Sequence, residues 1–343
     1  MKKTTLFRLC SILLFFAGTA FGDYSAGLDA YRKAWDSYSK ADYAKAAEET
    51  AAAIRLDPEN PHAHALAGDI AYRMDDLAGA VAHWNKALQV DPRLREIEQQ
   101  IEQVALEQEL EKSAAVTSSA AFVVRTPRGS RLEPDQLIKE LEAAQRFLEQ
   151  KLDFQFSGPV TVLVYEPKQF YADLHVPTEV AGLFDGKIRI PLRPEGQGTP
   201  FREVLWHETA HAAVHQLTAG KAPRWLQEGI AQLAQAQIAP IFTGDLQIVL
   251  RANDAPTLRQ LVRSSAFVTM DAGVPLRTNL FYQASWAYCA YFVEQRGWEG
   301  LRHLLTQVRS EEPPDQALAN ILGLKSDELE RQWVRWARQR LSS

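Results

Sequence analysis

A chain of 343 residues is longer than one ordinary core and suits two modules. Hydrophobic residues at 46% and charged residues at 24% are ordinary globular values, which excludes wholesale disorder and a membrane bundle. The formal net charge of −5, which becomes −8 once Lys2, Lys3 and Arg8 leave with the leader, argues against a nucleic-acid partner.

Residues 1–22 read as a secretory signal peptide. Lys2, Lys3 and Arg8, with no acid among them, precede an apolar run from Leu9 to Phe21, and Ala20 and Gly22 suit cleavage before Asp23. The run is about 13 residues, short of the roughly 20 that cross a bilayer, so no stable span is expected after cleavage. An uncleaved N-terminal anchor is the alternative. Cys10 does not read as a lipid site, because the apolar run continues beyond it. Outside the leader only Cys289 remains, so the mature chain forms no internal disulfide, and export without bridges fits a secreted or periplasmic location in a bacterial envelope.

Residues 23–112 form an all-helical repeat module. Ala41 to Pro58 and Asp75 to Pro92 align without gaps, and Pro58 to Pro92 marks a period of 34 residues. Small residues recur where helices approach, Ala46 with Ala80 and Ala53 with Ala87, while Gly68 opens a space and Trp84 fills it. This pattern resembles tetratricopeptide repeats over about residues 27–94. It is weaker in the first repeat, where Thr50 stands at the position of Trp84. Two repeats bury little surface, so a helix from Arg93 to Lys112 is expected to cover the open end, its acids Glu96, Glu98, Glu102, Glu107, Glu109 and Glu111 facing water. The module reads either as a docking surface for a protein partner or as a spacer. His62, His64 and His83 lack the neighbours a metal site needs and read as surface or packing residues.

Residues 113–120, small and polar, read as a linker. A second domain, residues 121–343, follows as an α+β unit. Strands are predicted at Ala121–Thr126 and Pro159–Tyr165 around an amphipathic helix at Pro134–Leu152, and a short helix from Pro167 comes next. Gly182 to Pro191 reads as a hairpin turning at Asp185-Gly186, its second half an edge strand. Helices are then predicted at about 201–219, 224–238, 256–264, 279–296, 298–309 and 325–341. Ile241 to Asn279 reads mainly as a turn-rich loop covering part of a cleft.

The chemistry lies in His207-Glu208-Thr209-Ala210-His211. Residues four apart share a helix face, so both imidazoles reach one cation, while Glu208 reaches a water beside it. Alone, the pattern also fits two surface histidines on an ordinary helix. A third His at the tenth position after His207 would complete a metzincin site, but that residue is Leu217, and His215 falls two short. The first acid after His211 is Glu228, in Pro223-Arg-Trp-Leu-Gln-Glu-Gly, on a helix that follows the turn at Gly220. These two pieces resemble the gluzincin zinc peptidases, and among them the peptidase MA-like proteins, over about residues 121–310.

The resemblance implies a thermolysin-like catalytic domain, a small mixed sheet with a helical subdomain. It implies one zinc ion held by His207, His211 and Glu228, with Glu208 as general base acting on a peptide or protein substrate. It further implies an edge strand at Lys187–Pro191 that pairs with the substrate backbone. For the oxyanion donor Tyr282 is expected, with Tyr288 and Tyr291 as alternatives. Arg224 reads either as a substrate-carboxylate binder or as an exposed first-turn residue. The His211–Glu228 interval is shorter than in aminopeptidase relatives and no amino-terminus-binding segment precedes the motif, which favours an endopeptidase. Two other readings stay open: a non-catalytic envelope scaffold working through the repeats, and zinc hydrolysis of a non-peptide amide.

Overall fold

The computed structural model describes residues 26–39, 42–130, 132–174, 176–178, 180–192, 200–263 and 278–341. The expected signal peptide at residues 1–22 therefore lies outside the described residues. The molecule is mostly helical with one small sheet and falls into two compact units, Met1–Lys112 and Ser113–Ser343.

The first unit holds α1 (26–39), α2 (Tyr43–Leu56), α3 (Pro61–Arg73), α4 (Leu77–Val90) and α5 (Glu96–Ser113). Side-chain oxygens start three of them: Asp42 accepts from the Lys45 amide, Asn60 from the Ala63 amide and Asp76 from the Gly79 amide. α2 and α4 are both 14 residues long, and their capping aspartates stand one 34-residue period apart, at 42 and 76. Trp84 packs against Gly68, and its indole N–H donates to Asp69 at 3.0 Å. Ile97 and Val104 of α5 bury in the same cluster. One acid of α5 departs from the expected wet face: Glu107 is buried, because the Tyr72 hydroxyl donates to it at 2.6 Å and satisfies the carboxylate. His64 contacts the Pro58 carbonyl at 3.0 Å and His83 at 3.3 Å, a packing pair that no third metal-ligating side chain joins among the described residues.

The second unit opens with β1 (Ala114–Ser118), β2 (Phe122–Pro127), α6 (Pro134–Leu152), β3 (Val160–Tyr165), a π-helical turn (Gln169–Asp173), β4 (Leu183–Phe184) and β5 (Ile188–Pro191). The sheet order is β1-β2-β3-β5-β4, parallel across β2, β3 and β5 and antiparallel at both ends. β3 is buried along its whole length, as an interior parallel strand flanked on both faces should be. α6 inserts Leu137 and Leu141 against the sheet, which also receives Val204, Leu205 and Ala212 from the next helix.

Two expectations change here. The supposed linker at residues 113–120 contains β1, which pairs with β2 from Ala114 to Ser118. A strand at a sheet edge needs backbone pairing more than an apolar face, and Ala-Ala-Val-Thr-Ser supplies that while only Ala114 buries. The strand at Lys187–Pro191 is not the edge either. β5 lies inside the sheet between β3 and the two-residue β4, so the edge on that side belongs to β4.

The remainder is helical: α7 (Phe201–Thr218), α8 (Arg224–Gln235), α9 (Gly244–Arg251), α10 (Leu258–Arg263), α11 (Thr278–Arg309), α12 (Pro314–Leu322) and α13 (Ser326–Leu341). α11 is broken at Gly297, whose φ of 68° and ψ of −179° separate two helical stretches, as the predicted pair 279–296 and 298–309 requires. The segment read mainly as a loop from Ile241 contains α9, a helix too short to signal itself. Leu246 and Leu250 anchor it, and the Leu246 amide donates to Gln283 at 2.8 Å. Residues 264–277 of that predicted loop lie outside the described residues. α12 has no counterpart in the predicted elements, although Pro314 at its start and Gly323 at its end are the usual boundary residues.

Candidate metal centre

α7 is buried on nearly every side, which its run of Ala210, Ala212 and Ala213 permits. It ends at Ala219 and Gly220, both at positive φ, and the chain turns through Pro223 into α8. The turn brings Glu228 back toward α7. Immediately after it stands Gly229, where an added Cβ would lie 2.4 Å from Cys289 Sγ and 2.5 Å from the Ser285 carbonyl oxygen. The absence of a side chain lets α8 lie directly on α11, seating the Glu228 turn deep in the helical core.

Three donors converge there. Glu228 Oε2 lies 3.2 Å from His207 Nε2 and 3.5 Å from His211 Nε2, and one ligand atom from each of the three residues falls within 4.8 Å of the others. The two rings meet edge to face, at 74°. Glu208 is 4% exposed. Among the described residues its Oε2 and the Nδ1 of His211 are buried without a hydrogen-bond partner. Gly182, just before β4, lies against the same carboxylate: a Cβ there would be 3.0 Å from Glu208 Oε1 and 2.7 Å from Val204 Cγ1.

Electrostatics follow from this crowding. Burial would raise the Glu228 carboxyl, but the charge of His211 and hydrogen bonds from both imidazoles outweigh it and hold the group well below the usual range. Burial works against a charged His207, yet its hydrogen bond to Glu228 and the charges of Glu208 and Glu228 raise its pKa. Glu208 is raised, mainly by burial and in part against the two histidines.

A supporting layer surrounds the three residues. His207 Nδ1 lies 3.3 Å from Gln235 Oε1, and the Gln235 amide donates to Glu203 at 2.8 Å. Arg224 Nε lies 3.2 Å from Glu228 Oε1, while Oε2 is the oxygen nearest the histidines, and Nη2 of the same guanidinium donates to the Tyr282 hydroxyl at 2.8 Å. The Tyr282 pKa is raised, by burial first and then by the charges of Glu228 and Glu208.

The structure thus brings His207, His211 and Glu228 together, places Glu208 beside them, and links Tyr282 to them through Arg224. The other two tyrosines are engaged elsewhere. Tyr288 stacks on Trp333 at 4.0 Å and donates to Glu330, and Tyr291 donates to Gln332 at 3.2 Å. Arg224 is neither a free surface residue nor turned to solvent, and Gln235 and Glu203 were not singled out by the sequence. Spacing carried the signal for all three. Arg224 stands four residues before Glu228, Gln235 seven after it, and Glu203 four before His207, so each shares a helix face with a ligand residue.

A sequence-family model described as the Peptidase MA superfamily matches residues 148–339, a span that contains every residue of this cluster. Comparison with curated proteins gives no match.

Proposed function

Because the chain belongs to the Peptidase MA superfamily, which supports a peptidase-type activity, we propose that it is an exported zinc-dependent endopeptidase. His207, His211 and Glu228 would hold the metal, and Glu208 would act as general base. The observation that carries this reading is the convergence of two imidazoles and one carboxylate beside a buried carboxylate with an unpartnered oxygen.

The donor set fits zinc. Catalytic zinc takes three protein ligands of this kind and keeps a fourth position open, and donors set tetrahedrally at about 2.05 Å from a metal stand about 3.3 Å apart. The two separations from Glu228, 3.2 and 3.5 Å, match that spacing, and the three donor atoms together lie within 4.8 Å of one another. When bound, zinc supplies Lewis acidity that polarises the scissile carbonyl and acidifies a water.

The chain's own residues do the rest. Glu208, raised by burial, accepts the proton of the attacking water and delivers it to the leaving amine. Gln235, backed by Glu203, fixes the ring of His207. Tyr282 donates to the oxygen that gains charge. An extended substrate meets the edge of β4, the outer strand among the described residues, where Gly182 lets backbone approach Glu208 closely. The N-terminal helices, taken as tetratricopeptide repeats, position a substrate or partner protein. Among the described residues no helix is long and apolar enough to cross a membrane.

Bound metal and casein hydrolysis test the reading together. One zinc per chain is expected, lost or weakened in Glu228→Ala, with hydrolysis reduced by about 10²–10⁴ in Glu208→Gln at unchanged zinc content. A wild-type protein without zinc, or zinc indifferent to Glu228→Ala, overturns it.

A further inference from the structure

Arg224 sits in the first turn of α8, where the helix dipole disfavours a positive charge. A residue placed against its local electrostatic preference needs another interaction to hold it there. The geometry supplies two at once. It forms an ion pair with Glu228, Nε standing 3.2 Å from Oε1 without a hydrogen bond, while Oε2 is the oxygen nearest both histidines. Its Nη2 donates to the Tyr282 hydroxyl at 2.8 Å, with the guanidinium carbon 5.9 Å from the ring centroid.

One planar, rigid guanidinium thus carries an ion pair with the Glu228 carboxylate and a hydrogen bond to the Tyr282 oxygen, which ties the two positions together. Arginine also never gives up its proton. A phenol that accepts from it keeps its own proton free for donation elsewhere.

We propose that Arg224 is a positioning residue: it restricts Glu228 to a single inward ligand oxygen and, with the same guanidinium, turns the Tyr282 hydroxyl into a dedicated donor. This rests on the zinc peptidase reading above. Arg224 touches neither metal nor substrate in this role and acts only through Glu228 and Tyr282. Lysine, a compact point charge, replaces the first contact without keeping the second.

The test measures zinc dissociation constants by chelator competition, and kcat and KM on casein at saturating zinc. It compares wild type, Arg224→Gln, Arg224→Lys, Tyr282→Phe, Arg224→Gln/Tyr282→Phe and Glu228→Ala, with circular dichroism to verify folding. Arg224→Gln is expected to weaken zinc binding by about 10–100-fold and to lower kcat with little change in KM. Arg224→Lys recovers zinc affinity to within about threefold of wild type while kcat stays low. In the double variant, removing the Tyr282 hydroxyl lowers kcat by less than about twofold further, because that hydroxyl is already misplaced.

Wild-type zinc affinity in Arg224→Gln, or kcat losses that multiply in the double variant, overturns the proposal. If Arg224→Gln loses its helical signal, Arg224→Lys decides alone, and full kcat there overturns it. The controls separate two kinds of failure. Zinc lost in Glu228→Ala but kept in Arg224→Gln removes this inference only, whereas zinc kept in Glu228→Ala removes the metal-site reading and this inference together.

Discussion

Gly182→Ala probes the contact between the sheet edge and the base. The new methyl carbon would stand 2.7 Å from Val204 Cγ1, 3.0 Å from Glu208 Oε1 and 3.1 Å from Glu208 Cγ. Ordinary carbon contact begins near 3.4 Å, so the strand and α7 must separate by several tenths of an ångström or Glu208 must swing away. Overpacking of this kind costs about 1–3 kcal/mol. In a unit spanning Ser113–Ser343 that corresponds to a melting-point loss of about 2–4 °C per kcal/mol.

The catalytic loss should be larger, since a base displaced by an ångström costs up to about a hundredfold in rate. Casein hydrolysis should therefore fall by about 10–100-fold in kcat, while the zinc dissociation constant stays within about threefold of wild type, because the three atoms nearest the new methyl belong to Val204 and Glu208 and to none of the ligand residues. Val204→Ala added to Gly182→Ala removes the tightest contact and should restore melting temperature more fully than kcat, since the Glu208 contacts remain. Wild-type kcat in Gly182→Ala, or a loss explained entirely by lost zinc, would refute the placement of the base against the sheet edge.

Gln235→Leu should weaken zinc binding by about 10–100-fold in chelator competition with the melting temperature little changed, because it removes the partner of His207 Nδ1 but no ligand. Trp84→Ala should destabilise the first unit by about 3–5 kcal/mol, read in the intact protein as lost hydrogen-exchange protection across α3 and α4, since Trp84 is 1% exposed and central to their contact. Glu330 carries a pKa raised by its burial, which outweighs the lowering effect of the hydrogen bonds it accepts from Tyr288 and the Leu258 amide, so the folded state binds its proton more tightly than the unfolded state does. Its contribution to stability should therefore fall as pH rises from the ordinary glutamate range through the raised folded value, and Glu330→Gln should flatten that part of a denaturant-midpoint profile against pH.

Legibility in the sequence followed the range of each interaction. His207, Glu208 and His211 are set by a five-residue helical spacing, and Glu228 by the turn that begins the next helix, so all four were readable without a fold. Arg224, Gln235 and Glu203 share helix faces with those residues, but their partners lie across helix pairs, and nothing in the letters says which glutamine or arginine points inward. α6 was legible to its end residues because Leu137, Leu141, Ala144, Leu148 and Leu152 keep one face through about four turns. α9 was not, since two buried leucines in eight residues make no period and a hydrogen bond from its Leu246 amide to Gln283 on α11 completes its first turn. The strand at Ala114–Ser118 escaped for a related reason: its stability comes from pairing with β2 rather than from its own side chains. Sheet order, too, is a long-range outcome, and the placement of β5 inside the sheet with β4 beyond it could not follow from local alternation.

The packing of α8 on α11 through Gly229 has a chemical consequence. Cys289, the one cysteine outside the predicted leader, sits behind the helix that carries Glu228, fully enclosed, with its thiol pushed far above the ordinary value by that burial. Thiolate is the form that attacks disulfides, captures soft metals and oxidises first. Kept as a thiol and enclosed beneath a bare backbone, Cys289 is held in the form that reacts slowly with oxidants and binds metal weakly, so it does not compete with the histidines.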